Sequence, residues 1–156
     1  LTGQRTPQAV RRGLARLGVL KDVTVQELPA GNAPEAARDA VASIDEPTTV
    51  IVDPIHALDA DDGAELSSFL NKASDVLVEV DGLLIAHVLR GARLTQGWWT
   101  TTYMADVVLE LETDASGEFI ENHLTVPKMR GGSPVQSSIK LELTDEVRVD
   151  TSRDIS

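Results

Sequence analysis

The sequence predicts an α/β fold, with a mostly parallel central sheet extended at its C-terminal end by an antiparallel β section. Three observations carry this. Strand and helix patterns alternate up to about Leu89, the order that builds βαβ units and parallel pairing. Beyond that point strand follows strand, with short turn signals between them. Residues 83–89 form a nearly continuous apolar run, the pattern of a strand covered on both faces.

Each element has a local cause. Thr6-Pro7 is a helix start, a hydroxyl cap followed by proline at the first helical position, and Val10, Leu14 and Leu17 then share a face until Gly18. Residues 22–28 alternate as a strand with Val23, Val25 and Leu28 inward. Pro34 opens a second helix with a stripe of Ala37, Ala40, Val41 and Ile44. Residues 48–52 are a short buried strand rich in β-branched residues and end at Asp53-Pro54. The acidic run 59–62 suits the positive end of a third helix, whose core face is Leu66, Phe69, Leu70, Ala73 and Leu77. Asp81-Gly82 turns into the apolar strand, and the basic segment 91–104 is ambiguous between helix and loop. Strands are expected at 106–111, 119–126 and 139–143, the last pairing with 147–149. The reading is one domain over residues 1–149 with a flexible tail at 150–156.

The chain has 156 residues, with 14 Lys+Arg against 25 Asp+Glu and a formal charge of −11. Such a balance repels phosphate backbones and makes nucleic acid an unfavoured partner. The apolar runs fall far short of the roughly 20 residues of a membrane span, and zero Cys removes disulfides, thiolate zinc sites and thiol chemistry. The expected location is cytoplasmic. Fourteen Asp, ten Arg and four Lys point to a halophilic source, because salt screening makes crowded carboxylates tolerable. An ordinary acidic protein is the other reading. The first residue is Leu, so the sequence is expected to begin inside a longer protein or after a cleaved segment.

The bases are clustered. Residues 1–21 hold Arg5, Arg11, Arg12, Arg16 and Lys21 and no acid, so the other 135 residues carry nine bases against 25 acids. Arg5, Arg11, Arg12 and Arg16 are therefore the candidate partner-binding residues, facing an anion or an acidic surface; random clumping on a solvated face is the alternative. Two further acid-free stretches lie between Asp81 and Asp106 (Arg90, Arg93) and over 122–141 (Lys128, Arg130, Lys140).

Thr48-Thr-Val-Ile-Val-Asp53 is the strongest local chemical signal, a buried strand ending in a carboxylate. The plainer account is an Asp that caps the following turn. Lys128 and Arg130, at i and i+2 on an extended segment, can address one anion, or else sit at a solvated strand end. Asp53, His56 and His87 could form a two-His-one-carboxylate metal site. Trp98-Trp99 offers a contact platform, with one ring expected to pack under the sheet edge. A G-x-x-x-x-G occurs at 13–18, but Val19-Leu20 follows instead of Lys-Ser/Thr, and a helix uses its amides internally.

The order of these motifs resembles the KaiC-like branch of the RecA superfamily of P-loop ATPases, over residues 1 to about 149. Leu1-Thr-Gly-Gln-Arg-Thr-Pro7 is similar to the segment that leaves the second core strand and enters a helix. Thr49-Val-Ile-Val-Asp53 resembles the Walker B strand, and residues 83–89 the next core strand, whose end carries a polar sensor. Met104-Ala-Asp-Val-Val-Leu-Glu-Leu111 resembles the Ala-Asp strand entry. Leu124-Thr-Val-Pro-Lys-Met-Arg-Gly131 resembles the Lys-x-Arg-Gly strand end, and residues 139–143 the strand after it.

The resemblance implies a RecA-like three-layer fold whose first strand, P-loop and helix would lie before Leu1 and are missing here. It implies Asp53 as the Mg²⁺-side carboxylate, and Lys128 and Arg130 as fingers reaching a neighbouring subunit's ATP phosphate. The family's acidic pair before Ser/Thr-Pro is replaced by Gln4-Arg5, and although Gln could orient water, Arg cannot act as its base. The expectation is a degenerate, non-catalytic relative, archaeal and by composition haloarchaeal, working in regulation or signal transduction through a second copy or a partner protein. Mg-ATP is its cofactor if nucleotide binding is retained. The alternatives are an ATP-hydrolysing oligomer with its P-loop upstream of residue 1, and a metal-dependent small-molecule enzyme using Asp53, His56 and His87. If the first unit is absent, an uncovered apolar groove is expected on the sheet.

Overall fold

The computed structural model describes residues 1–156 except 20, 60–62, 91–94, 116–119, 134, 136, 145 and 151–156. Along the chain come α1 (Pro7–Arg16), α2 (Ala33–Ala42), β1 (Thr49–Val52), a 3-10 turn (Ile55–Leu58), α3 (Ala64–Glu79), β2 (Leu83–Ala86) and α4 (Gln96–Met104). The strands β3 (Val107–Asp114), β4 (Glu121–Met129), β5 (Ile139–Leu143) and β6 (Val147–Val149) follow. The chain divides into two compact units, Leu1–Met104 and Ala105–Ser156, where the sequence reading has one domain. The division falls where strand–helix alternation gives way to successive strands.

In the first unit β1 and β2 pair in parallel, from Thr49 opposite Leu83 to Val52 opposite Ala86. Alternation along β1 turns Val50 and Val52 inward and leaves Ile51 outside. Beneath them α3 contributes Leu66, Phe69, Leu70, Ala73 and Leu77, all five of its expected core positions. From α2 come Ala33, Ala37 and Val41, while Ala40 and Ile44 are half-buried. Full burial of side chains such as Phe69 and Leu66 contributes about 1.5–3 kcal/mol each.

Three expectations are corrected here. Residues 22–28 form no strand. Asp22 takes a left-handed φ of 65°, and pairing is confined to an isolated bridge of Thr2 to Glu27, flanked by bonds from Thr2 N to Gln26 O and from Leu28 N to Thr2 O. Backbone pairing to this segment is made by Thr2 alone among the described residues that the bridge involves. β2 ends at Ala86 and is covered on one face: Leu84 and Ala86 pack on the core, whereas Leu83 is 55% and Ile85 44% exposed. Ile51 of β1 is exposed as well, at 51%. Finally, Asp150 is not part of a loose tail, since its N–H donates to Lys140 O at 2.8 Å. Residues 151–156 lie outside the described residues.

α1 starts as its sequence dictates. Thr6 Oγ1 accepts from Ala9 N, Pro7 occupies the first turn, and Gly18 at φ 71° follows the helix end. It buries no residue, and Leu17 is 68% exposed, so the expected Val10, Leu14 and Leu17 face is at most half-covered. The ambiguous segment 91–104 resolves as α4 from Gln96 onward, with residues 91–94 outside the described set.

The second unit is an antiparallel sheet ordered β3-β4-β5-β6, with a register irregularity between Val108 and Glu110. The expected strands are all there, β3 and β4 being longer than read, and β6 pairs with β5.

Candidate functional site

Parallel register brings the carboxyl ends of β1 and β2 side by side. His87 N donates to Val52 O at 2.9 Å, and Ile55 N donates back to His87 O at 2.9 Å. This lacing places Asp53 and His87 together, with Nδ1 of His87 2.6 Å from Oδ1 of Asp53. Both side chains are about half exposed. A His87 that donates from Nδ1 carries its acceptor lone pair on Nε2, so the pair can orient a proton acceptor at the sheet edge.

The 3-10 turn sends His56 elsewhere. Its Nε2 lies 2.8 Å from Nε2 of Gln4. Asp53, His56 and His87 thus do not gather as one ligand set, and no group of three or more His, Cys, Asp or Glu able to hold a metal ion occurs among the described residues. The spacing of single residues along a sequence cannot show this, because the turn after Pro54 decides where His56 points.

Nor does the G-x-x-x-x-G at 13–18 offer amides to a phosphate. Gly13 lies within α1, and the amides of Leu17, Gly18 and Val19 donate to Gly13, Ala15 and Leu14 carbonyls. They are unavailable to phosphate. Asp53 is the carboxylate that could face a divalent ion, and it is engaged by His87.

Arg5, Arg11, Arg12 and Arg16 are all exposed. Arg11 Nη2 donates to Val25 O at 3.4 Å, which ties α1 to the segment that follows it. α1 has no acid in its first turn. Around its C-terminal end Leu17, Val19 and Val23 are exposed, an apolar cluster that the charge pattern did not reveal.

In the second unit Lys128 is in β4 opposite Val108, and Arg130 lies just past the strand. Arg130 Nε sits 3.1 Å from Asp106 Oδ1, and its N donates to Asp106 O. The ion pair closes one end of the β3–β4 ladder, next to the Val107–Met129 pair. A cluster that the sequence reading passed over is on the same sheet. Lys140 Nζ donates to Glu121 Oε1 at 2.7 Å, and His123 Nε2 approaches Glu121 Oε2 at 3.2 Å. The Lys140 bond, and then the His123 bond, hold the Glu121 carboxyl below the usual glutamate range. The cross-strand register of His123 with Lys140 builds it, a relation legible only once strand pairing is known.

On α4, Trp98 and Trp99 meet edge to face with centroids 4.6 Å apart. Trp98 is half-buried and Trp99 is 55% exposed. No helix among the described residues is long and apolar enough to cross a membrane.

The whole chain, residues 1–156, matches the model of a family of unknown function, DUF7125. No curated protein matches it. Among solved structures, it is similar to the crystal structure of a KaiC-like protein from the hyperthermophilic archaeon Pyrococcus horikoshii OT3, with a TM-score of 0.65 at 17% sequence identity. The match covers 96% of this chain and 74% of that one. The fold is thus of the KaiC-like, RecA type: mixed α/β, with a parallel two-stranded sheet and a separate antiparallel four-stranded sheet.

Proposed function

We propose, for a chain that belongs to the DUF7125 family of unknown function, that it is a non-hydrolysing interaction module built on a KaiC-like fold and serving regulation or assembly. The observation that carries this reading is α1. It is a helix none of whose residues is fully buried, it displays Arg11, Arg12 and Arg16 with Arg5 just before it, and it belongs to a chain whose remaining residues are strongly acidic. A surface of this kind recognises an acidic partner more readily than a small substrate. Lys128 and Arg130 supply a second cationic edge on the other unit. The Asp-rich surface suits a salt-rich archaeal cytoplasm.

The engagement of Asp53 by His87 supports the absence of hydrolysis. A second reading rests on the place of Asp53 at the end of a buried strand: an oligomeric ATPase of three-layer RecA type, with its phosphate loop supplied from outside these residues. Calorimetric titration of the protein with Mg-ATP at high salt separates the two. The module reading expects no saturable heat, and micromolar binding overturns it in favour of the ATPase.

A further inference from the structure

Strand alternation puts a hydroxyl, an imidazole, a carboxylate and an ammonium on one face of the second unit's sheet. Glu121 and His123 stand two residues apart on β4, and Ser138, just before β5, stands two residues from Lys140 within it. Register sets His123 opposite Lys140, which makes Ser138 its diagonal neighbour across the strand pair. Nδ1 of His123 accordingly lies 3.2 Å from Oγ of Ser138, and Nε2 of the same ring lies 3.2 Å from Oε2 of Glu121. Lys140 Nζ donates to the other carboxylate oxygen, Oε1, at 2.7 Å.

These contacts fix which ring nitrogen carries the proton. The Lys140 bond, and then the His123 bond, hold Glu121 below the usual glutamate range, so it is ionised near neutral pH and only accepts. The N–H of a neutral His123 is therefore on Nε2, donating to Glu121. Nδ1 keeps the lone pair and accepts from the Ser138 hydroxyl. Ser138 is exposed, so an electrophile from solution can reach its oxygen. The two 3.2 Å contacts have the slack of a nucleophile and base that tighten when substrate binds.

We propose that Ser138, His123 and Glu121 act as nucleophile, base and orienting carboxylate on carboxylic esters with an acidic leaving group. Ser138 Oγ bonds to the ester carbonyl carbon, its proton passes to Nδ1 of His123, and the bond to the leaving oxygen breaks. Water then attacks the acyl-serine, giving one proton to Nδ1 and returning the acyl group as a carboxylic acid while Ser138 regains its hydroxyl. Aryl esters suit the site, because a phenolate departs without a second proton donor. The chemistry uses the second unit and no nucleotide, so it stands apart from the interaction-module reading.

A fluorophosphonate probe tests the nucleophile, because its label stays in place: Oγ bonds to phosphorus, fluoride leaves, and the hydroxyl proton goes to Nδ1. Peptide mass spectrometry of the full chain locates the label. Ser138 is expected to react well before Ser43, which is also exposed but whose hydroxyl donates to Ala40 O instead of to an imidazole. His123→Gln is expected to slow labelling of Ser138 about 100-fold, and Glu121→Gln to slow it less. Release of nitrophenolate from para-nitrophenyl acetate is expected to fall in Ser138→Ala. Circular dichroism checks that the variants are folded, and the comparison of Ser138 with Ser43 is made in the wild-type protein. Labelling of Ser138 no faster than Ser43, labelling unchanged in folded His123→Gln, or ester cleavage unchanged in Ser138→Ala overturns the proposal.

Discussion

Nδ1 of His87 lies 2.6 Å from Oδ1 of Asp53, joining the carboxyl ends of two adjacent parallel strands. Both groups are about half exposed, so solvent screens the pair. His87→Ala is expected to cost less than about 1 kcal/mol in denaturant unfolding. A loss of several kcal/mol would show that the pair is instead a structural clamp on the sheet.

Phe69 on α3 is fully buried in the cluster beneath β1 and β2. Phe69→Ala is expected to destabilise the protein by about 3–5 kcal/mol, through lost transfer energy and a residual cavity. Val78→Ala, on the exposed side of the same helix, is expected to shift stability by no more than about 0.5 kcal/mol. Denaturant midpoints of the two variants give the comparison directly.

Gly82 is set by a close approach at the α3–β2 turn. A Cβ there would meet Leu77 Cδ2 at 2.6 Å and Thr48 O at 2.8 Å, and the carbonyl cannot yield without disturbing the Leu83 N to Thr48 O bond. Gly82→Ala is expected to cost about 1–3 kcal/mol. An unchanged midpoint would mean that this turn relaxes freely.

Acid acts on the second unit through Glu121. Its pKa is depressed in the fold, chiefly by Lys140 and then by His123, so the unfolded chain binds the proton more readily. The stabilisation is therefore present above the ordinary glutamate value of 4.5 and is lost as pH falls through the lower folded value. Glu121→Gln is expected to flatten this limb of the stability profile, and Lys140→Met to reduce it. An acid limb unchanged in Glu121→Gln would assign it to other carboxylates.

Much of the fold is written in local pattern. The buried face of α3 follows helical spacing residue by residue, and the strands of the second unit follow their turn signals. What escaped depends on partners distant in sequence. Continuous apolarity in 83–89 suggested cover on both sides, but cover is a property of what packs above, and nothing in the run itself reports it. The alternation at 22–28 was a fair strand pattern, but its bridge pairing is to Thr2 alone among the described residues. At the site, the pairing of Asp53 with His87 was legible as two neighbouring strand ends. The diversion of His56 to Gln4 depended on a 3-10 turn, and the Glu121 cluster depended on register.

The central claim is that this KaiC-like fold serves as an interaction module and does not hydrolyse ATP. Phosphate release from Mg-ATP by the purified protein at high salt tests it most directly. The account predicts release no faster than in buffer alone. Steady Mg-ATP-dependent release that disappears in Asp53→Asn would contradict it.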